Sequence, residues 1–202
     1  MPTLYHSPMT RSTAIVALIE EMGIADRIDV IDVTIPRQDG TGAPDPRNPH
    51  PEGKVPYLVH GEDGIRERGA IIIYLTDLFP DSGLGRPVGH LQRGTFLGWL
   101  FYYQGVIEPV LVLDFTGLDH PALTATFRDR GAVMARLEEA LADGPYLLGA
   151  EYSAVDLLIS GAFHWFPDLL TGHPAVKAWA DRCADRPALK AVTARDAAAL
   201  AG

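Results

Sequence analysis

Hydroxyl side chains cluster near the start of the chain, in the segment Ser7-Pro8-Met9-Thr10-Arg11-Ser12. The segment precedes an apolar pattern with helical spacing, so these hydroxyls stand where a first helix begins. The ordinary role of hydroxyls at that position is to accept N–H groups of the first helical turn. The alternative is that one of them, Thr10 or Ser12, acts with the amino end of the helix to hold an anion such as a thiolate. The pattern leaves both roles open.

A second candidate is the stretch Lys54-Val55-Pro56-Tyr57-Leu58, in which a proline stands at the head of a strand. The first position of a strand tolerates proline for structural reasons alone. A cis bond occurs in only about 5–6% of X–Pro pairs. If this bond is cis, the backbone N–H and C=O of Val55 point outward and can pair with an extended peptide ligand.

A third candidate is the charged pair Glu67-Arg68 followed by Gly69, at the junction of a strand and a helix. A solvated capping cluster is the structural interpretation. The functional interpretation is that Arg68 and the N–H groups of the helix start bind a carboxylate, while Glu67 binds an ammonium group.

The segment Ser153-Ala154-Val155-Asp156 predicts the start of a helix by a different mechanism. Ser153 and Asp156 have the spacing of a capping box, and Tyr152 and Leu157 are placed to form a hydrophobic staple. We expect this motif to be structural and assign it no catalytic role.

Two patterns of elements position these residues. Up to residue 80 the order is β-α-β, loop, β-β-α, with strands expected at 4–6, 28–33, 55–59 and 65–67, a first helix that Gly23 ends and a second over 69–78. The loop at 35–53 is proline-rich and without periodicity, which is typical of binding segments. After the linker no strand pattern recurs, and helices are expected at about 91–103, 121–142, 153–166, 174–183 and 187–200. The sequence therefore predicts an α/β domain at 1–80, a linker at 81–88 and an all-helical domain at 89–202.

Composition excludes several classes of protein. The 202 residues are 47% hydrophobic and carry a formal charge of −9 with no basic run, so nucleic acid and membrane surfaces are not expected partners. The apolar stretch 95–115 contains polar interruptions and predicts a core helix. No secretory signal is visible, and the single cysteine, Cys183, fits a reducing compartment. The seven histidines show no metal-ligand spacing. We expect a soluble, cytoplasmic, metal-free protein.

In this order, the four motifs resemble those of the cytosolic glutathione S-transferase superfamily, in its bacterial-type members. The resemblance covers essentially the whole chain, and its strongest parts are the Val55-Pro56 strand entry, the Glu67 junction and the Ser153 capping box. It implies a thioredoxin-like domain followed by a helical bundle, a homodimer, and no tightly bound cofactor. It also implies reduced glutathione as cosubstrate, with the thiolate attacking a small hydrophobic electrophile in a detoxification reaction.

The resemblance assigns roles to the candidates in the first domain. Val55 would pair its backbone with the cysteinyl part of glutathione, and Pro56 would be a cis proline. Glu67 and Arg68 would hold the γ-glutamyl end, and Lys54 would lie near the glycyl carboxylate. Arg68 departs from the family pattern, since many members have a small hydroxyl residue after the acid.

The residue that activates the thiol is Thr10 by alignment with the catalytic serine of several classes, or Ser12 if the turn points that way. Members that use cysteine align it with Arg11, so a mixed disulfide with the protein is not expected. Tyr5 fits the tyrosine-type position less well because it precedes the turn. The electrophile would lie between the Pro8-Met9 turn and the first long helix of the second domain. The walls expected there are Trp99, Tyr102, Tyr103 and Ile107, with Pro109 ending or kinking the helix.

Two other functions stay open at this point. One is a glutathione-binding or protein-interaction scaffold that retains the fold and does little chemistry, because a fold does not determine a function. The other is a glutathione-dependent isomerase or dehalogenase, which would share the thiolate site. A thiol–disulfide oxidoreductase is disfavoured because the chain has no C-x-x-C motif.

Overall fold

The computed structural model describes residues 1–201, which fall into two compact units. The first unit comprises Met1–Gly83 and the segment that begins at Arg186, and the second is Leu84–Asp185. The division expected from sequence, 1–80, 81–88 and 89–202, stays a prediction. It differs from the two units in the placement of the last helix, because periodicity identifies a helix without identifying what it packs against.

The first unit contains a four-stranded mixed sheet in the order β2-β1-β3-β4. β1 and β2 are parallel, whereas β3 is antiparallel to both β1 and β4. Parallel neighbours need a crossover, which α1 provides. The order β-α-β, loop, β-β-α is therefore confirmed. The bounds are β1 Thr3–His6, α1 Thr13–Glu21, β2 Asp29–Asp32, β3 Tyr57–His60, β4 Asp63–Ile65 and α2 Arg68–Leu78.

Alternation along β1 decides which of its side chains are buried. Leu4 and His6 are buried, whereas Thr3 and Tyr5 are half-exposed, because successive side chains of a strand point to opposite faces. His6 therefore shares the core face with Leu4. The fully buried apolar side chains of this unit include Leu4, Ile15, Leu18, Ile19, Leu58, Ile71, Ile72 and Leu75.

The segment between β2 and β3 contains turns but neither helix nor strand, as expected for 35–53. Polar contacts hold its first part to the sheet. Asp45 accepts the Thr34 N–H at 3.3 Å and pairs with Arg47 at 2.7 Å, and Arg47 also donates to the Asp32 carbonyl at 2.9 Å. An irregular segment is thus fixed by side chains in place of a backbone ladder.

The last helix, α9 (Pro187–Ala201), packs against α1 in the first unit. Val192 and Asp196 are buried on it at 1% and 2% exposure, and they stand four positions apart, so they share one helix face. At the start of this segment Arg186 Nε donates to Glu21 Oε1 at 2.8 Å. The first unit is therefore assembled from two distant parts of the chain.

The second unit is helical. Its core contains large side chains that are essentially inaccessible, among them Phe96, Leu100, Ile107, Leu137, Ile159 and Trp179. Apart from a short 3-10 turn at Pro167–Leu170, the helices have these bounds: α3 Arg93–Tyr102, α4 Glu108–Thr116, α5 Pro121–Phe127, α6 Arg130–Leu141, α7 Ala154–Trp165 and α8 Pro174–Ala184.

Helices α3 and α4 form one run, joined by a π-helical turn over Tyr103–Ile107. The helix does not end at Pro109, which occupies the first turn of α4. Proline inside an α-helix lacks an N–H and clashes with the carbonyl four residues earlier, and the wider π turn precedes it where that clash would fall. Within residues 1–201 this run, Arg93–Thr116, is long and apolar enough to cross a membrane by length and composition alone, a test that core helices also pass.

The helix expected over 121–142 is interrupted at Arg128. This residue has a positive φ of 79°, and Asp129 then caps a new helix by accepting the Ala132 N–H at 2.8 Å. The expectation of one helix was wrong because hydrophobic spacing continues across the break, whereas the capping aspartate restarts the helix.

The capping box at α7 is present as predicted. Asp156 Oδ2 accepts the Ser153 N–H at 2.9 Å and the Ser153 hydroxyl at 2.8 Å. Asp156 Oδ1 accepts the Leu147 N–H at 2.8 Å and the Trp179 indole N–H at 3.0 Å. One carboxylate thereby ties α7, α8 and the preceding loop together.

Candidate functional site

Three of the predicted segments meet at one end of the sheet. Tyr5 of β1 faces Tyr57 of antiparallel β3, so the residues after β1 and those before β3 leave the sheet at the same end. Leu58 faces Ile65 of β4, which brings the residues after β4 to that end as well. The topology therefore places 7–12, 54–56 and 67–68 together.

Ser12 is the N-cap residue of α1, yet its hydroxyl accepts no N–H of the first turn. It accepts the Ser7 N–H at 3.1 Å, and its Oγ lies 2.7 Å from His6 Nδ1. Ser12 is 0% exposed, so its side chain is enclosed by protein and has no access to solvent. Its hydroxyl is therefore committed to protein partners.

Thr10 is half-exposed, unlike Ser12. Its hydroxyl donates to the Ser7 carbonyl at 2.7 Å and lies 2.8 Å from Ser12 Oγ, while its oxygen accepts the Ser12 N–H at 3.2 Å. Of the two predicted hydroxyls, Thr10 is the one with access to a ligand in solution.

The loop before α1 adopts a backbone conformation that few residues take. Met9 has φ of 53°, in the left-handed region that non-glycine residues rarely occupy. Its N–H donates to Asp196 Oδ2 at 3.0 Å, and the preceding Pro8 carbonyl accepts from Arg37 Nη2 at 2.7 Å. Such conformations persist where surrounding contacts impose them, and they concentrate at functional sites.

His6 and Asp196 form a buried pair beneath this loop, each at 2% exposure. His6 Nε2 lies 3.2 Å from Asp196 Oδ1. Burial lowers the pKa of His6 below its ordinary value, and the neighbouring Asp196 opposes that shift without reversing it. Sequence reasoning missed both residues. The available signal was an aspartate four residues after the apolar Val192, on the face of a helix that should be buried.

The Val55–Pro56 peptide bond is cis, as the resemblance implies. Pro56 is buried, Val55 half-buried and Lys54 exposed. The Lys54 carbonyl accepts from the Asn48 side chain at 3.1 Å, which connects this segment to the irregular loop.

Glu67 and Arg68 occupy the start of α2, with Glu67 as its N-cap residue. Glu67 has a positive φ of 70° and an exposed side chain, whereas Arg68 is only 8% exposed. Among residues 1–201, three non-glycine residues have positive φ, and two of them, Met9 and Glu67, lie at this end of the sheet. The third is Arg128 in the helical unit.

The four residues expected to form a pocket wall in the helical unit are mostly core. Trp99, Tyr103 and Ile107 are at most 5% exposed. Tyr102 is half-exposed, and the Arg136 guanidinium lies over its ring at 3.9 Å from the centroid. Pro8 and Met9, expected on the opposite wall, are half-exposed within the first unit. The pocket as a whole stays a prediction.

Two further sequence expectations concern metals and the cysteine. Within residues 1–201 no group of three or more His, Cys, Asp or Glu side chains is arranged to hold a metal ion. Cys183 is fully buried in the helical unit, beside the apolar residues with which it shares helical spacing.

Comparison with known proteins now identifies the family. Residues 121–195 match the family described as glutathione S-transferase, C-terminal domain. Glutathione S-transferase GstA of Escherichia coli O157:H7 is 30% identical over 149 residues, which cover 68% of this chain and 71% of the relative. The chain belongs to the glutathione S-transferase family.

Other matches to this glutathione S-transferase cover nearly its whole length. A sphingomonad glutathione S-transferase, solved in complex with glutathione, is 25% identical with a TM-score of 0.73 and covers 96% of this chain and 98% of its own. The disulfide-bond oxidoreductase YfcG of Escherichia coli K12 is 27% identical and covers 93% of this chain and 92% of its own. The fold class predicted from sequence, a thioredoxin-like domain followed by a helical domain, is confirmed, as is a glutathione S-transferase-like enzyme with glutathione as its cosubstrate.

Proposed function

We propose that this glutathione S-transferase conjugates the thiolate of reduced glutathione to a small hydrophobic electrophile. The observation that carries the proposal is the convergence of residues 7–12, 54–56 and 67–68 at one end of the sheet, with positive φ at both Met9 and Glu67. Two strained backbone positions at one end of a sheet favour a ligand site there over an ordinary surface.

Glutathione would lie across this end of the sheet as an extended peptide. We assign the Val55 backbone N–H and C=O to its cysteinyl residue, in the manner of an added strand. The exposed Glu67 carboxylate would bind the ammonium of the γ-glutamyl group. The carboxylate of the γ-glutamyl group would lie at the amino end of α2, beside Arg68. The exposed Lys54 is assigned to the glycyl carboxylate.

The thiol must be ionised to react, and two groups would favour the thiolate. A helix amino end contributes about 0.3–1 kcal/mol and up to about 2 kcal/mol in good geometry. Since one pKa unit corresponds to about 1.36 kcal/mol, the end of α1 alone lowers the thiol pKa by at most about one unit in ordinary geometry. A hydrogen bond to the charged sulfur adds about 1.5–3 kcal/mol, which we assign to the half-exposed Thr10 hydroxyl after its proton turns from the Ser7 carbonyl to the sulfur. Ser12, the other candidate, is enclosed and would act by holding Thr10.

In the conjugation step the sulfur forms a bond to an electrophilic carbon and supplies both electrons. With an aryl halide the carbon–halogen bond breaks and halide leaves. With an epoxide a carbon–oxygen bond breaks and the oxygen takes a proton from solvent. Within the first unit, the half-exposed Pro8 and Met9 have surface to offer an apolar electrophile.

The test of this proposal combines binding with ionisation. Titration calorimetry with reduced glutathione should give saturable heat, and the ultraviolet absorbance of the bound thiolate, followed against pH, gives its pKa. Thr10→Val should raise that pKa by about one to two units, the equivalent of the lost hydrogen bond. Thr10→Ser, the matched control, retains the hydroxyl and should leave the pKa unchanged. An unchanged pKa in Thr10→Val would remove Thr10 from the role.

Turnover then separates the enzyme from a binding scaffold. A panel of aryl halide, epoxide and peroxide substrates should give glutathione-dependent product with the wild-type chain. Saturable heat without product from any of them would favour the scaffold. Absence of heat would contradict both.

A second candidate reaction is glutathione-dependent disulfide reduction, favoured by the likeness to YfcG over 93% of this chain. The chain has a single cysteine and it is fully buried, so the exchange would run through glutathione thiols alone. One glutathione thiolate would attack the disulfide and release the first substrate thiolate, and a second would attack the mixed disulfide, forming oxidised glutathione and releasing the second substrate thiolate. Thiol release from a small disulfide, compared with conjugation of an aryl halide, distinguishes the two reactions. An isomerase or dehalogenase would share the thiolate site and differ in the electrophile it accepts.

We also propose that the chain forms a homodimer in the cytoplasm and serves in detoxification, as its family resemblance implies. The lone buried cysteine is compatible with a reducing compartment. Light scattering of the purified chain would test the dimer, and a monomer at working concentrations would contradict it.

A further inference from the structure

Asp196 is buried on the last helix, and its two carboxylate oxygens contact three groups around the proposed thiol site. Oδ1 lies 3.2 Å from His6 Nε2. Oδ2 accepts the Met9 N–H at 3.0 Å and the Thr13 hydroxyl at 2.6 Å. A carboxylate that is removed from water is costly unless hydrogen bonds compensate it, and here those bonds converge on one loop.

We propose that Asp196 is a positioning residue for the loop that binds the glutathione thiol, acting through the Met9 N–H and through His6. The inference rests on the proposed function, since it assigns that loop to the sulfur. It is independent of which electrophile the protein accepts.

The first part of the argument concerns the backbone. Met9 has φ of 53°, a conformation that its own side chain does not favour. Asp196 holds the Met9 N–H, while Arg37 holds the Pro8 carbonyl at 2.7 Å. Opposite charges thus fix adjacent backbone groups. Without the carboxylate, Met9 would relax toward negative φ and shift Thr10, which follows it directly.

The second part concerns the hydroxyls. Because Asp196 accepts from His6 Nε2, the other ring nitrogen, Nδ1, is left as an acceptor for the Ser12 hydroxyl at 2.7 Å. Ser12 Oγ then accepts the Ser7 N–H and lies 2.8 Å from the Thr10 hydroxyl. Asp196 therefore sets the direction of a hydrogen-bond chain that ends at the proposed thiol activator. The other charged groups that act on His6 are Asp32 of β2 and Arg195 of α9.

The test measures glutathione affinity by calorimetry in three variants. Asp196→Ala removes every acceptor and should weaken the glutathione Kd by about tenfold or more. Asp196→Asn retains an oxygen for the Met9 N–H and should stay within about threefold of wild type. Val192→Ala is the matched control, since it removes buried volume from the same face of α9 and retains the Asp196 carboxylate. It should lower the melting temperature yet leave the Kd within about twofold.

Each outcome decides the matter. Wild-type affinity in Asp196→Ala would overturn the proposal. An equal loss in Val192→Ala would overturn it too, because docking of α9 alone would then explain the effect. Failure of Asp196→Asn to rescue affinity would overturn the part of the proposal that acts through the Met9 N–H, because this variant retains an acceptor for that group and loses the one for His6 Nε2.

A measurement on the wild-type chain keeps the proposal testable even if Asp196→Ala does not fold. The Met9 amide should exchange slowly with deuterated solvent in the absence of glutathione, because Asp196 holds it. Rapid exchange would overturn the inference. This readout is also independent of the proposed function, since it requires no ligand, whereas absence of calorimetric heat with the wild type would contradict the function alone.

Discussion

Replacing Asp156 by alanine tests how much one buried carboxylate contributes to the helical unit. Its oxygens accept four hydrogen bonds, from the Leu147 N–H, the Trp179 indole and both the N–H and hydroxyl of Ser153. Asp156 and Ser153 are 0% exposed, and Leu147 and Trp179 are at most 4% exposed. Water therefore does not replace the lost acceptor.

The expected magnitude follows from counting donors. In Asp156→Ala the Ser153 hydroxyl can rotate to another acceptor, which leaves three N–H groups unpaired at about 1–3 kcal/mol each. Removing a buried charge offsets part of this cost, as shown by the raised pKa of Asp156, whose largest cause is burial. We expect a net loss of about 3–5 kcal/mol, because three unpaired donors at about 1–3 kcal/mol each outweigh the gain from removing the buried charge.

The assay uses tryptophan fluorescence during thermal unfolding. The chain has three tryptophans, Trp99, Trp165 and Trp179, and all lie in the helical unit, so the signal reports on that unit. For a domain of this size, about 1 kcal/mol shifts the melting temperature by about 2–4 °C, which predicts a decrease of about 10 °C.

Two further variants calibrate that result. Ser153→Ala removes one hydroxyl donor and retains the carboxylate, so it should cost about 1 kcal/mol. Asp119→Ala removes an exposed acid of the same unit and should change stability by no more than about 0.5 kcal/mol. If Asp156→Ala is no less stable than Ser153→Ala, the assignment of the carboxylate as the hub of this region is wrong.

Three other predictions concern two residues of the first unit and one residue of α3 in the second. A Cβ at Gly64 would lie 1.8 Å from the Tyr57 hydroxyl oxygen, so Gly64→Ala should lower stability by about 1–3 kcal/mol. A Cβ at Gly98 on α3 meets nothing within 4 Å, so Gly98→Ala should raise the free energy of unfolding by about 0.5–1 kcal/mol. Urea unfolding measures both glycine variants, and a change of the same sign in the two would contradict these predictions. Burial lowers the pKa of His6 in the folded chain below 6.5. As the pH falls through 6.5, His6 therefore becomes protonated in the unfolded chain before it does in the folded chain. The free energy of unfolding decreases over that pH range. His6→Gln should therefore lose less melting temperature than wild type between about pH 7.5 and about pH 5.5, and equal losses would exclude His6 as a source.

Local patterns accounted for much of the fold. The short strand β1, the apolar spacing of α1 and the end of that helix near Gly23 are consequences of nearby residues, so sequence reasoning located them. The capping box at Ser153 was equally legible, because its donors and acceptors are three residues apart. These features need no knowledge of what the chain folds against.

Features that depend on distant contacts were not predictable. Asp196 stands 190 residues from His6, and nothing in its own helix indicates that partner. The partners of the Ser12 hydroxyl were unpredictable for the same reason, since His6 and the Ser7 N–H bond to it in place of an N–H of the first helical turn. The break at Arg128 lies within continuous hydrophobic spacing, where only the capping aspartate marks a new helix.

The two-part construction of the first unit has a consequence during synthesis on the ribosome. The strands and the first two helices emerge early, but α9 begins only at Pro187. A nascent chain can form its sheet long before Asp196 has been synthesised. While the whole helical unit is being translated, the Met9 N–H therefore lacks the carboxylate that accepts it in the folded chain. We expect the proposed thiol site to be the last part of the first unit to mature, completed only after α9 has left the exit tunnel.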